Sequence, residues 1–286
     1  MLLLTALIWG TAFAAQSIGM DYVGPFTFIG VRFAIGALTL VPFIAAQEIR
    51  RKKEIAAHPG AANAVDPIDP AAGGSGRAMR GPLLWKAGIL CGMALFTASS
   101  LQQAGIQYTT VGKAGFLTAM YIVIVPILGM FFGRRVKLLI WVSVLIAVGG
   151  LYLLCMGGGT AGIAKGDALC LSCAFVFAIQ IMIIDHYSET VDGLRMSAVQ
   201  FLTVSVLGII MMLIFEKPSA AAIWQARSSI LYTGVLSSGV AYTLQIIAQR
   251  GMNPTIASLL MSLESPISAI SGFLILHQIF SGRELA

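Results

Sequence analysis

The fold class this sequence predicts is an all-α polytopic membrane protein built from two inverted five-helix repeats. Three observations lead there. Of the 286 residues, 58% are hydrophobic and only 10% are charged, and the mean hydropathy is +0.88, far from the balance of a soluble domain with a polar surface. The apolar residues gather into runs of spanning length, since a hydrocarbon core about 30 Å thick needs roughly 20 residues per helix. Finally, short stretches of the first half recur in the second.

The runs place spans near 2–19, 25–46, 84–105, 109–132, 138–156, 167–185, 196–215, 229–249 and 254–276. The first, LLLTALIWGTAFAAQ, carries an Ala-Phe-Ala that imitates a signal-peptidase site. It lacks a positive n-region, so it reads as a span. Between spans two and three, EIRRKKE leads into AAHPGAANAVDPIDPAAGGSG, which is rich in Ala, Gly and Pro and has no apolar periodicity. This is the composition of a flexible loop, here 47–82.

Basic residues set the expected orientation. With the N-terminus inside, the inner connections hold Arg50, Arg51, Lys52, Lys53, Arg77, Arg80, Lys86, Arg134, Arg135, Lys137, Arg195 and Arg250. The outer connections hold Lys165, Lys217, Arg227 and Arg283. This excess predicts a cytoplasmic N-terminus. The sequence pI of about 9.3 therefore reads as a topology signal, not as a nucleic-acid footprint. Cys91, Cys155, Cys170 and Cys173 all fall in apolar segments and read as small core residues rather than a disulfide framework or a zinc site.

Repetition organises the chain. VGPFTFIGVRF at 23–33 pairs with VDGLRMSAVQF at 191–201, setting Gly24 on Asp192, Arg32 on Gln200 and Phe33 on Phe201. LQQAGIQYTT pairs with IAQRGMNPT, setting Gln103 on Gln249 and Gly105 on Gly251. The two offsets differ by roughly the length of the flexible loop, so one insertion reconciles them. The second unit starts after an odd number of spans and is therefore inverted, an arrangement typical of secondary transporters. The expected units are 1–156 and 157–286.

WGTAF, PFTFIGVRF, TTVGKAGFLTAMYIVIVP, GDALCLSCAFVFAIQ and ASLLMSLESPISAISGF, in this order, resemble the EamA family of the drug/metabolite transporter superfamily. The resemblance runs through the chain except residues 47–80. It implies ten helices in two inverted halves, both termini inside, a bacterial inner membrane, and export or uptake of a small metabolite without a cofactor. A dimer contact at the tenth helix is also implied. Two departures stand out. Gly133-Arg134 and His277-Gln278 replace the Gly-Glu of many relatives, and the chain stops at GRELA, where a tenth span would begin. The expectation is that the tenth helix is largely missing here.

The candidate site consists of polar groups at depth. Glu264 lies about 15 Å into the last span, near the bilayer centre, where a charge needs a cavity or a partner. Lys113, about one turn into span four, is a candidate partner for it. A carboxylate in a low-dielectric cavity can exchange a proton as the cavity opens to either side, coupling transport to protons. Alternatively it stays charged to hold a cation while Lys113 holds a carboxylate, which suits an amino acid. Ser238, Tyr242, Gln245 and Gln249 fall on one face of span eight at α-helical spacing. Ser99, Gln102 and Gln103 stand on its counterpart in span three, and Gln180, Tyr121 and Trp9 are further cavity candidates. Arg32 reads as structural, bonded to backbone carbonyls or a helix end, with Gly30, Ala34 and Ala37 beside it as a small-residue face. Pro126 and Pro266 are expected to bend their helices at the cavity. No catalytic or metal-binding signature is present in the sequence. A membrane-embedded lipid-modifying enzyme and a non-transporting scaffold are the rival classes.

Overall fold

Local chemistry explains where the helices start. Pro25, Pro82 and Pro254 each open a helix, where the missing N–H is no loss. The side chains of Thr110 and Asp192 accept hydrogen bonds from the backbone N–H groups of Lys113 and Arg195, capping two further starts, and Asn253 accepts from the Thr255 N–H to cap the helix that Pro254 opens.

The computed structural model describes residues 1–57, 81–131, 133, 141–142, 145–146, 149 and 164–278. Regular structure among them is entirely helical: α1 (Leu2–Gly19), α2 (Pro25–Ala57), α3 (Pro82–Ile106), α4 (Val111–Thr118), α5 (Tyr121–Phe131), α6 (Lys165–Tyr187), α7 (Gly193–Phe215), α8 (Ala220–Gln225) and α9 (Arg227–Tyr232). A π-helical segment, Thr233–Tyr242, follows, then α10 (Thr243–Gln249), α11 (Pro254–Met261) and α12 (Glu264–Leu276).

Among the described residues, eight stretches are long and apolar enough to cross a bilayer: Leu2–Gly19, Pro25–Arg50, Pro82–Ile106, Val111–Phe131, Lys165–Tyr187, Gly193–Phe215, Arg227–Gln249 and Pro254–Leu276. They coincide with eight of the nine expected spans, and this is a multi-pass membrane protein. Most of the expected span at 138–156, Cys155 included, most of the loop and the chain end beyond Gln278 lie outside the described residues. Two expectations change. α2 continues to Ala57, well past the expected end at 46, because Glu48 to Ala57 contains good helix formers and no breaker before Pro59. The fourth and last spans are each two helices.

α2 and α7 cross at Gly30 and Gly208, where a Cβ on Gly208 would lie 2.7 Å from the Gly30 Cα. The expected small-residue contact thus forms at Gly30, and Ser205 Oγ donates to its carbonyl at 3.0 Å. α3 lies along α6 and α7, α1 lies along α12, and the π segment packs on α1 and α2. The main core gathers Phe33, Leu95, Phe177, Phe201, Tyr242 and Met261 from both halves. Cys91, Cys170 and Cys173 are buried in apolar clusters, as expected of small core residues.

Candidate functional site

Pro266 breaks the last span. It has no N–H to give the carbonyl of Ser262 four residues earlier, so that turn cannot close as α-helix. Ser265 N bonds Ser262 O instead, at 3.0 Å. α11 therefore ends at Met261 and α12 restarts at Glu264, whose carboxylate stands in the first turn of a new helix, where the dipole favours negative charge. The fourth span breaks at Ala119-Met120, so Tyr121 likewise begins a half-helix. Pro126 lies inside α5, past this break, so it does not cause it.

Between these half-helices lies a cavity of about 30 Å³. It has room for a few waters and none for a metabolite. Glu264 and Arg32 both line it, at 3% and 2% exposure. Tyr121, Gln180 and Gln245 line it as well. The Tyr121 hydroxyl and the Glu264 carboxylate lie beside each other, and Arg32 Nε, Gln180 Oε1 and Gln245 Oε1 have no hydrogen-bond partner among the described residues. Buried polar groups are rarely left so, and here they converge on one space.

Trp9 closes one wall. Its Nε1 donates to the Ser237 carbonyl at 3.3 Å, and its ring meets that of Tyr242 at 4.7 Å. The neighbouring Gly10 lets α1 approach the chain break, since a Cβ there would lie 2.8 Å from the Glu264 carbonyl. The WG pair thus places one side chain in the cavity and removes another from the helix contact.

Arg32 is held by a side chain rather than by backbone carbonyls. Its Nη1 donates to Gln16 Oε1 at 2.9 Å, and its guanidinium lies 4.9 Å from the Phe33 ring centre and 5.5 Å from that of Phe28. It is both anchored and part of the cavity wall. Burial of an arginine against a single acceptor and two ring faces requires an unusually polar neighbourhood.

The expected Lys113–Glu264 pair does not form. Lys113 Nζ lies 2.7 Å from Asp167 Oδ2, and Thr109 Oγ1 and the Ala164 N–H also donate to this carboxylate, at 3.0 and 3.2 Å. Lys113 thus ties α4 to the start of α6, away from the cavity lining. Gln103 is also turned from the cavity, its Nε2 reaching the Gln16 carbonyl at 3.3 Å, while its neighbour Gln102 lines the cavity and donates to Thr118 Oγ1 at 3.3 Å.

The polar stripe of span eight holds for Tyr242 and Gln245 but fails for its outer members. Ser237, not Ser238, lines the cavity, because the π segment needs five residues, not four, to return to the same face. Ser238 instead packs against Gly36 of α2, and Gln249 is buried away from the lining. Sequence reasoning missed Gln16 and Thr118; both stand at helical spacing from recognised positions, Gln16 seven residues after Trp9 and Thr118 three before Tyr121.

The family described as EamA-like transporters matches residues 1–156 and again residues 164–286. The chain belongs to this family. Among relatives of this EamA-like chain, a protein of Archaeoglobus fulgidus described as an uncharacterized transporter is 27% identical over 286 residues, covering 98% of this chain and 78% of its own length. A second, the uncharacterized transporter YoaV of Bacillus subtilis, is 22% identical over 280 residues, covering 95% and 86%. A solved crystal structure superimposes with a TM-score of 0.69 at 18% identity, covering 99% of this chain and 90% of that one; this shows a shared fold.

Proposed function

We propose that this EamA-like transporter is a secondary permease that carries a small polar metabolite, an amino acid or related zwitterion, outward across a bacterial inner membrane by alternating access. The observation that carries the reading is the pair of opposite charges, Glu264 and Arg32, lining one cavity between broken helices. Charges at this depth are costly and mark substrate or ion pathways. Arg32 replaces Lys113 as the cationic pole, so a zwitterion finds an anchor at each end. The amide groups of Gln180 and Gln245, each with an unpartnered oxygen, and the Tyr121 phenol beside Glu264 supply neutral hydrogen bonds between them.

The two halves work as inverted repeats. Three features support this. Phe33 and Phe201, equivalent in the repeat alignment, meet at 5.8 Å across the α2–α7 crossing, as residues near a two-fold axis must. Arg32 bonds Gln16 on the preceding span, and its equivalent Gln200 accepts from Gln180 on its own preceding span at 3.4 Å. α1 packs on the span formed by α9, the π segment and α10, as α6 packs on α3. The cavity as it stands is contracted, and the breaks before Tyr121 and Glu264 are hinges about which it opens. Glu264 takes up a proton on one side and releases it on the other, coupling the cycle to the proton gradient. The excess of basic residues in one set of connections supports a cytoplasmic N-terminus.

Comparison of metabolites released by cells with and without the gene, followed by uptake into vesicles, tests the reading. A zwitterion enriched outside expressing cells, moved into vesicles faster under a proton gradient, is expected. No difference in metabolites and no flux in vesicles would overturn it.

A further inference from the structure

A second cavity, about 630 Å³, lies outside the central site, between the latter half of α2, the start of α7, and the end of the π segment with α10. It is within the size range of ligand pockets, about 300–1,000 Å³. Its walls grade along α2. Leu40 and Phe43 are at the deep end, where Gly239 packs on the neighbouring Thr39, and Leu244 and Ile247 carry the opposite wall outward to Gly193, beside the Gln47 level; Phe43 is 63% exposed. Gln47 comes one turn later, and Arg50, the last residue of the apolar span, stands at the rim. Leu40 to Arg50 is ten residues, or about 15 Å of helix. The cleft thus runs from the membrane interior to its surface, apolar below and cationic above.

Two polar atoms in this lining lack partners among the described residues. Thr243, 7% exposed, has an unpartnered Oγ1, and Gln47 has an unpartnered Oε1 although its Nε2 donates to Asp192 at 3.0 Å. The carboxylates at this end are engaged: Glu48 pairs with Arg195, and Asp192 caps α7 through the Arg195 N–H. No carboxylate pairs with Arg50 among the described residues, and exposed Lys52 and Lys53 follow it.

We propose that this cleft is a binding site for one anionic phospholipid, its acyl chain along Leu40, Phe43, Val240 and Leu244 and its phosphate on Arg50. Thr243 donates to an ester carbonyl, and Gln47 accepts from a hydroxyl of the headgroup. Basic pockets between membrane helices at the bilayer surface bind anionic headgroups in this way, and the apolar wall selects a lipid over a free anion.

The purified full chain in neutral detergent is titrated with phosphatidylglycerol, and with phosphatidylcholine in parallel, reading bound lipid by native mass spectrometry and the unfolding midpoint. The expected result is one tightly held phosphatidylglycerol, weakened about fivefold by Arg50→Gln, kept by Arg50→Lys, lost in Ala46→Trp, which fills the exposed cleft, and unaffected by Lys165→Gln. Equal binding of the two lipids would overturn the proposal, as would retention of phosphatidylglycerol by a folded Ala46→Trp protein.

Discussion

Lys113 and Asp167 form an ion pair of 2.7 Å that joins the start of α4 to the start of α6, with the Asp167 side chain only 1% exposed. Removing the lysine leaves a buried carboxylate with two neutral donors and no cation. Lys113→Met is expected to cost about 3 kcal/mol, the low end of the range for broken buried pairs, because Lys113 keeps some solvent. Lys113→Met/Asp167→Asn should recover most of this. Unfolding midpoints in detergent measure the cycle, and additive losses would show that the pair is not coupled.

Glu216, at the end of α7, caps α2 from across the molecule. Its two carboxylate oxygens accept from the Phe26 N–H at 2.8 Å, the Thr27 N–H at 2.7 Å and the Thr27 hydroxyl at 2.7 Å. They fill the space beside Gly24. In the repeat alignment Gly24 stands where Asp192 caps α7. Glu216→Ala should therefore lower stability by about 1–2 kcal/mol. Gly24→Asp should restore part of that loss in the Glu216→Ala background, yet destabilise the native protein by setting two carboxylates together. Thermal unfolding of the three variants checks the signs.

Gln102 and Gln103 are adjacent but do different things. Gln102→Leu removes a polar group from the cavity wall together with its bond to Thr118 Oγ1, and should raise the KM for flux as well as lower stability by up to about 1 kcal/mol. Gln103→Leu removes the bond to the Gln16 carbonyl and should lower stability by about 1 kcal/mol with little effect on KM. Parallel flux and unfolding measurements separate them; a KM effect confined to Gln103→Leu would contradict the placement.

Several of these features were legible in the sequence. The last span begins and ends where its apolar run does, and the depth of Glu264 followed from counting residues at 1.5 Å each. Its burial beside Tyr121, Tyr242, Gln245, Gln180 and Trp9 was anticipated from residue type and depth. The break at Ser262-Leu263 was foreshadowed by Pro266. What the sequence hid depends on three-dimensional adjacency. Asp167 is 54 positions from Lys113, and nothing local announces that α4 lies against α6. The exchange of Ser238 for Ser237 came from π geometry, which no apolar period encodes. Arg32 entered the cavity because Gln16, unremarkable in a row of small residues, holds it there.

Flux through Glu264→Gln protein in proteoliposomes tests the central claim most directly. The amide keeps size and hydrogen-bonding capacity but cannot carry charge or exchange a proton. Transport should fall roughly tenfold or more, the loss expected when a charged hydrogen-bonding group leaves its ligand, while the unfolding midpoint stays near that of the native protein and Glu264→Asp keeps partial, still gradient-driven activity. Undiminished, gradient-dependent flux through folded Glu264→Gln protein would contradict the account.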